Sequence, residues 1–189
     1  MSSKYKVFND ALPHHLTFTV IHWIDVFNRA AYKEIILESL RFCIEKKGLE
    51  LHAWIIMPNH IHLIASMQPE YSMSGFVRDF KKYTSRRIIK AIDENSRESR
   101  RSWMMRAFSI AGVNNSSNEQ YQFWQQDYHP IELSDSERLF QRLNYLHQNP
   151  VRAGLVWAPE DYKYSSAVDY TDTQVGMLPL VKISSLMIY

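Results

Sequence analysis

Disulfides, membrane spans and low-complexity repeats are all missing from this chain of 189 residues. Its single cysteine, Cys43, cannot form an internal disulfide, which excludes the small disulfide-stapled folds. Five glycines and seven prolines are too few for a collagen-like or low-complexity protein. No apolar run approaches the roughly 20 residues of a membrane span, and the first residues lead into no apolar signal segment. We therefore expect a soluble protein that stays in the cytoplasm and has no membrane partner.

The amino acids that are present favour one globular domain. The chain is 46% hydrophobic and 13% aromatic, which is enough for one well-packed core but not for two separate ones. We predict a single domain over residues 1–189. Cys43 lies between Phe42 and Ile44, a setting that favours a buried small hydrophobe over a reactive thiol.

Positive charge is concentrated in one segment. The net charge is only +2, yet residues 78–106 hold ten basic and four acidic side chains, so this segment carries +6 and the remainder −4. Such asymmetry is typical of a protein with a polyanionic partner, although a run of charge is more often just a solvated face.

Hydrophobic periodicity predicts a strand, a helix and a hairpin in the first half of the chain. Partial alternation predicts a strand at His15–Trp23, and apolar residues at helical spacing predict a helix from Arg29 to Lys47. Two further strands, Leu49–Met57 and His60–Met67, are predicted to form an antiparallel hairpin. The predicted helix caps are Asn28 and Gly48 for the first helix and Ser72 or Ser74 for the start of a second.

The second half is predicted to contain an irregular segment and a third helix. Residues 93–120 lose the periodicity, so we predict a mobile insertion there in which only Trp103–Ile110 is orderable. The capping box Ser134-Asp135-Ser136-Glu137 starts the third helix, which Pro150 is expected to stop. This order of elements predicts an α+β fold with a ferredoxin-like split arrangement, in which helices pack on an antiparallel sheet.

Two histidines form the first candidate site. His60 and His62 are separated by one residue in a predicted strand, so both side chains leave the same face. Two adjacent imidazoles suit one divalent metal ion. Because an isolated pair of this kind is more often chance or structural than catalytic, the spacing alone leaves both interpretations open.

The third helix offers the remaining parts of such a site. Tyr145 and Asn149 are four residues apart and share a helical face, so the amide oxygen of Asn149 is a candidate third ligand beside Tyr145. A tyrosine phenolate next to a metal can attack a phosphodiester. Most of the eleven tyrosines are expected simply to pack, and the residues alone favour that role for Tyr145 as well.

Three motifs in register closely resemble one protein family. They are the segments Met57–Ile64, Asn144–Val156 and Tyr162–Ala167. Together they resemble the REP-associated tyrosine transposases, which belong to the HUH single-tyrosine, insertion-sequence-200-like superfamily. Motifs that match in the same order are far more specific than any one alone, and the resemblance extends over roughly residues 12–170.

The resemblance implies a site and a reaction. His60 and His62 match the histidine pair that binds a divalent metal, Mg²⁺ or Mn²⁺; Tyr145 matches the nucleophile. Asn149 matches the third metal ligand, where many relatives have glutamine. The implied activity is cleavage and rejoining of single-stranded or hairpin DNA, such as REP-like repeats, through a covalent 5′-phosphotyrosine. Because the covalent intermediate conserves the bond energy, no ATP is needed.

The basic second helix is consistent with DNA as the partner. Six of its side chains are predicted to contact phosphates without reading the base sequence: Arg78, Lys81, Lys82, Arg86, Arg87 and Lys90. Tyr83 on the same helix is a weaker candidate nucleophile, because position 87 holds arginine instead of a metal-ligand type. Trp124, Tyr128 and His129 are candidates for stacking on unpaired bases, although buried aromatics are commoner.

Two other functions stay open. A non-catalytic protein with this fold would bind hairpin DNA without cleaving it. A metal phosphodiesterase would use water as its nucleophile and leave no protein-linked DNA. The presence of all four candidate site residues favours the transposase. Monomer and dimer are both compatible with the sequence.

Overall fold

Strands and helices follow one another in the order that the sequence predicts. The computed structural model describes residues 9–113, 120–126, 129–171 and 174–183. The strands are β1 His14–Thr19, β2 Leu49–Ile56, β3 His60–Met67 and β4 Ile131–Glu132. The helices are α1 Ala30–Lys46, α2 Met73–Glu94, α3 Arg101–Val113 and α4 Ser136–Arg152. None of the helices in these ranges combines the length and the apolar character needed to cross a bilayer.

The sheet has the split order of a ferredoxin-like fold. Its strands lie in the order β2-β3-β1-β4, and each adjacent pair is antiparallel. Thr17 lies opposite His62 and Thr19 opposite His60. Because residues opposite one another share a face, these threonines and histidines line the same side of the sheet. The predicted α+β fold and antiparallel sheet are confirmed.

Helices cover both faces of this sheet. On one face, β1 residues such as Phe18 pack with α1 and α2 in the larger core, where Phe18 contacts Phe80 at a ring centroid distance of 5.1 Å. On the other face, Ile55 and Ile64 pack with Leu143 and its neighbours on α4. Alternation along β3 assigns Ile61 and Leu63 to the larger core and His60 and His62 to the face under α4. The fold therefore brings α4 to the histidines.

The start of the chain differs from the prediction in two places. The first strand ends at Thr19 instead of Trp23, because His22 and Trp23 have φ values of 53° and 55°, which a strand does not allow. Asn28 is not the cap of α1: Arg29 occupies that position and makes no side-chain capping bond. Gly48, with φ 64°, ends the helix as predicted.

Most of the segment 93–120, which the sequence predicts to be irregular, is helical. Helix α2 continues to Glu94, and α3 occupies Arg101–Val113. Met104 and Phe108, one turn apart on α3, are fully buried, which explains why this part folds as a helix. The expectation of order at Trp103–Ile110 is confirmed. Residues 114–119 lie outside the described residues.

Helix α4 departs from its predicted ends. Its N-cap is Asp135, whose carboxylate accepts from the backbone N–H of Glu137 at 2.9 Å, instead of Ser134. Pro150 does not stop the helix, which runs on to Arg152. Proline offers no N–H to the Leu146 carbonyl, but the side-chain amide of Asn149 donates to that carbonyl at 3.4 Å. This side-chain bond partly replaces the backbone hydrogen bond that Pro150 cannot donate.

A buried histidine makes the stability of the fold sensitive to acid. His52 is 0% exposed; its Nδ1–H donates to the Val181 carbonyl at 2.8 Å, and Nε2 lies 2.9 Å from Ser66 Oγ. Burial lowers the pKa of His52. The unfolded chain therefore binds this proton at a higher pH than the folded chain, so the stabilisation is complete above about pH 6.5 and is lost as the pH falls.

We expect His52→Asn to flatten this pH dependence. In the native chain the lowered pKa of His52 makes the free energy of unfolding fall as the pH drops below about 6.5. The variant keeps a donor near Val181 but cannot take up the proton, so it is less stable at pH 7.5 and loses less stability between pH 6.5 and 5. Urea unfolding at both pH values measures the difference. Parallel pH profiles of the two proteins contradict the prediction.

Candidate active site

His60 and His62 present ring nitrogens at the sheet face covered by α4. Their ring centroids are 4.8 Å apart. Nδ1 of His62 lies 2.9 Å from Thr17 Oγ1, and Nδ1 of His60 lies 2.7 Å from Asn59 Oδ1. When Nδ1 carries the proton in these bonds, the lone pair of each Nε2 is left for a ligand. Neither Nε2 makes a hydrogen bond within the described part of the chain.

Burial keeps both rings neutral. It lowers the pKa of His60, and burial, with smaller electrostatic effects of His15, His60 and Arg142, lowers the pKa of His62 to about 2. A histidine must be neutral to bind a metal, so these rings are in the required state at neutral pH.

Tyr145 lies directly against this pair. Its ring centroid is 5.7 Å from that of His62, and the side chain is 36% exposed. The guanidinium carbon of Arg152 lies 5.4 Å from the centre of the tyrosine ring. The structure therefore brings the predicted tyrosine and the predicted histidines together, with a cation beside the phenol.

Asn149 has the properties of an oxygen ligand. Its Nδ2 donates to Tyr145 O at 2.8 Å, while its Oδ1 accepts no hydrogen bond from any described residue. No group of three or more His, Cys, Asp or Glu side chains in the described ranges is arranged to hold a metal ion. A three-ligand site on His60 and His62 therefore needs a residue of another type. The free amide oxygen of Asn149 and two neutral imidazoles fit Mn²⁺ or Mg²⁺.

A third histidine, His15 on β1, belongs to the same cluster. Its ring stacks on His62 at a centroid distance of 5.0 Å and meets Tyr145 edge-on at 6.2 Å. It is 4% exposed, and its Nε2 has no hydrogen-bond partner among the described residues. Burial, and to a smaller extent Arg142, lowers the pKa of His15 to about 4. The sequence analysis missed this residue, although His15 and Thr17 share one face of the predicted strand.

Sequence analysis also missed the two arginines of α4. Arg142, Tyr145, Asn149 and Arg152 follow one another at spacings of three, four and three residues, which places them on one stripe of the helix. This spacing is the signal by which the arginines could have been found. They add two positive charges to the candidate active site.

The six predicted phosphate contacts lie elsewhere. Helix α2 packs on the opposite face of the sheet from His62, so its basic side chains are on a separate surface. Arg78 pairs with Asp79 at 2.9 Å, Lys90 with Glu94 at 3.7 Å, and Lys81 donates to the Gln125 carbonyl at 2.8 Å. The side chains of three exposed cations of α2 make no ion pair or hydrogen bond to any described residue: Lys82, Arg86 and Arg87.

The other predicted aromatic residues have different surroundings. Tyr83 is 50% exposed on α2, away from the histidines. Trp124 is 5% exposed and its Nε1–H donates to Thr84 Oγ1 at 3.0 Å, so its predicted role in base stacking is wrong. Tyr128 lies outside the described residues, and His129 is exposed. Cys43 is buried as predicted, and burial raises the pKa of its thiol to about 11.

Comparisons with known proteins identify the family and the fold of the chain. The model of the family "Transposase IS200 like" matches residues 9–122, which include both histidines and end before Tyr145. A solved structure of a REP-associated tyrosine transposase bound to a REP hairpin is 14% identical, with 89% of this chain and 84% of that chain covered and a TM-score of 0.64. A predicted transposase from Deinococcus radiodurans R1 is 19% identical, with coverages of 78% and 97% and a TM-score of 0.45. No curated protein sequence matches.

The family match spans more than half of the chain. The first of the two solved structures shares the fold, in agreement with the resemblance carried by the three sequence motifs. Transposases bind and cleave DNA, so these results identify a DNA-cleaving enzyme in general terms. The chain belongs to the IS200-like transposase family.

Proposed function

We propose that this protein cleaves and rejoins single-stranded or hairpin DNA through a covalent 5′-phosphotyrosine on Tyr145. The contact between the rings of Tyr145 and His62, at 5.7 Å, is the observation that carries the proposal. It joins a potential nucleophile to a pair of neutral metal ligands from a distant part of the chain. The resemblance of the segment Asn144–Val156 to the transposase motif supports the same role for Tyr145.

The proposed reaction exchanges one phosphate ester for another. Tyr145 Oη attacks the scissile phosphorus, the new P–Oη bond forms, and the P–O3′ bond breaks. The bonding electrons leave with the 3′ oxygen, which takes a proton and becomes a free 3′-OH; the phenolic proton passes to solvent, which reaches the 36% exposed side chain. Attack by a 3′-OH on the phosphotyrosine reverses the reaction and rejoins the strand, so no ATP is needed.

The surrounding side chains have supporting roles in this proposal. His60, His62 and Asn149 would hold Mn²⁺ or Mg²⁺, which when bound polarises the phosphate oxygens. Thr17 and Asn59 orient the two imidazoles through their Nδ1 atoms. Arg142 and Arg152, on the same helical stripe as Tyr145, attract the anionic phosphate towards the nucleophile.

Hairpin DNA is the proposed partner because the similar solved structure is bound to a REP hairpin. We assign Lys82, Arg86 and Arg87 the main phosphate contacts outside the active site, since their side chains make no ion pair or hydrogen bond to any described residue. To contact a phosphate, Arg78 and Lys90 must give up a carboxylate partner, and Lys81 must give up a backbone carbonyl. These three side chains therefore contribute less to the free energy of DNA binding. DNA that reaches both surfaces has to pass around the edge of the sheet.

Removing a free cation of α2 should change the salt dependence of binding. We expect Arg86→Ala to weaken hairpin binding and to reduce the slope of log K against log salt concentration by about 0.7–0.9, the value for one lost phosphate contact. Arg78→Ala on the same helix is the matched comparison and should have a smaller effect, because Arg78 is paired with Asp79. Fluorescence anisotropy with a labelled hairpin at several salt concentrations measures both slopes. Equal slopes in wild type and Arg86→Ala contradict the assignment.

The proposed function is tested directly by trapping the intermediate. Wild-type protein, Mn²⁺ and an end-labelled hairpin with single-stranded flanks should give a complex that survives denaturation in SDS. Peptide mapping of that complex should find the DNA on Tyr145, and the released strand should carry a 3′-OH that a polymerase extends. Salt-sensitive binding without cleavage would support a non-catalytic hairpin-binding protein instead. Turnover without an adduct would support a phosphodiesterase that uses water.

A further inference from the structure

A cavity lies beside Trp23, whose ring contacts that of His60. It has a volume of about 540 Å³ and lies between the loop after β1 and helix α3, within the size range of small-molecule sites, about 300–1,000 Å³. Its lining includes the side chains of His22, Trp23, Asp25, Asn28, Arg100 and Trp103. Trp23 is 58% exposed and Trp103 50% exposed, so two large aromatic surfaces in this cavity face solvent.

The backbone holds Trp23 in this position against its own preference. His22 and Trp23 both have positive φ, 53° and 55°, a region that bulky residues rarely adopt. Backbone bonds Trp23 N–H to Val20 O at 3.1 Å and Ile24 N–H to Ile21 O at 3.2 Å maintain the turn. As a result the indole stands out from the core, and its edge meets the ring of His60 at a centroid distance of 5.7 Å.

The opposite wall of the cavity is fixed by a buried carboxylate. Glu98 is 4% exposed and accepts hydrogen bonds from Arg100 and Arg29, and these bonds help to lower its pKa to about 2. Arg100 also donates to the backbone carbonyl of Asp25 at 2.7 Å. This network ties the start of α3, and with it Trp103, to the loop after β1. The side chain of Arg100 is already bonded to the Glu98 carboxylate and the Asp25 carbonyl, and the Asp25 carboxylate also lines the cavity, so the cavity is not built to bind a phosphate.

The remaining polar groups suit the edge of a nucleobase. The side chains of His22 and Asn28 are exposed and make no hydrogen bond to any described residue. Both offer a donor and an acceptor, as a base edge requires. Flat aromatic walls with a few polar groups are the features by which proteins bind unpaired bases.

Two hydrogen bonds connect the cavity to the candidate active site. Asp25 Oδ1 accepts from Asn59 Nδ2 at 2.7 Å, and Asn59 Oδ1 lies 2.7 Å from His60 Nδ1. Trp23 contacts His60 directly. A strand whose phosphate lies at His60 therefore has an adjoining nucleotide beside Trp23.

We propose that this cavity binds one unpaired nucleobase, from a nucleotide that flanks the scissile phosphate, by stacking it on Trp23 and Trp103. The placement of the scissile phosphate at His60 and Tyr145 rests on the proposed function. Stacking accepts any base, whereas His22, Asn28 and the Asp25 carboxylate select among base edges. The cavity thus contributes to the choice of cleavage site.

A double-mutant cycle between protein and DNA tests this inference. Hairpins with single-stranded flanks are prepared with an abasic site at each flanking position in turn, and binding is measured without metal by anisotropy. At one position the abasic site should weaken binding to wild type about 5- to 100-fold, the effect of one stacked base. Trp103→Ala should weaken binding of the intact hairpin and show a smaller loss than wild type with that abasic hairpin, because only Trp23 is left to stack on the base. Trp103→Phe should restore part of the affinity that depends on the base at that position.

Trp157→Ala is the matched control, because Trp157 is 98% exposed and lies outside the cavity. An abasic site should weaken hairpin binding by this variant as much as it weakens binding by wild type. If Trp103→Ala retains the same abasic losses as wild type at every position, the cavity does not bind a base. If a Tyr145 adduct forms but the Trp103 substitution and the abasic site act independently, the base-binding role of the cavity is wrong and the proposed function stands. If the two changes are coupled but no adduct forms, the base-binding role is supported and the proposed catalysis is wrong.

Discussion

Tyr145→Phe is expected to abolish the covalent protein–DNA adduct and to lower strand cleavage by more than about 10³-fold, since it removes the only atom that bonds to phosphorus. Phenylalanine keeps the ring that packs against His62, His15 and Arg152. The fold and the affinity for hairpin DNA should therefore stay close to wild type. Denaturing gels of labelled hairpin incubated with protein and Mn²⁺ measure the adduct, and anisotropy measures the affinity.

Tyr83→Phe is the matched control for this experiment. Tyr83 has cationic neighbours and is 50% exposed, but it lies on α2 behind the sheet. We expect this variant to form the adduct at the wild-type rate. An adduct that persists in Tyr145→Phe and disappears in Tyr83→Phe would assign the nucleophile to Tyr83 and show that the proposed mechanism is wrong.

The parts of the site that lie close together in the chain could be predicted from the sequence. His60 and His62 share a strand face because side chains alternate, and Tyr145 and Asn149 share a helix face because they are four residues apart. Each pair depends only on local periodicity. Periodicity does not join one pair to the other; the resemblance of the three motifs does, and the structure places Tyr145 beside His62.

The parts that depend on tertiary pairing could not be predicted. His15 joins the site because β1 pairs with β3 in a register that places Thr17 opposite His62, and nothing local in the sequence sets that register. The partners of the charged side chains between 78 and 106 could not be predicted either. Its side chains are charged by composition, but contacts such as that of Glu98 with Arg29, which precedes α1, are found only in the folded chain.

Local rules also failed where a specific contact outweighed them. Pro150 ordinarily ends a helix, yet α4 continues because the Asn149 amide donates to the carbonyl that proline leaves free. The φ values of His22 and Trp23 oppose a general preference of non-glycine residues. Such exceptions are expected near functional sites, and both of these lie next to residues of the candidate site.

Binding of Mn²⁺ should stabilise the folded protein through His62. Saturation to 100 times the Kd adds about 2.7 kcal/mol to the free energy of unfolding, which for a chain of this size corresponds to a rise in Tm of about 5–10 °C. His62→Ala should remove this rise, because it takes away one of two nitrogen ligands. Mn²⁺ should act at lower concentrations than Mg²⁺, since imidazole is a poorer partner for Mg²⁺. Differential scanning fluorimetry with and without metal measures the shift independently of catalysis.

Two further variants make this result specific to the proposed ligands. His52→Asn removes a buried histidine that lies outside the site, so its Tm should fall without metal while the metal-induced rise is retained. Asn149→Asp replaces the amide with a carboxylate, which binds divalent ions more strongly, but loses the donor to the Leu146 carbonyl. It should therefore be less stable than wild type without metal and gain more from Mn²⁺. A rise in Tm that survives in His62→Ala and is unchanged in Asn149→Asp would show that the metal binds elsewhere, because neither proposed ligand would then contribute to the binding energy.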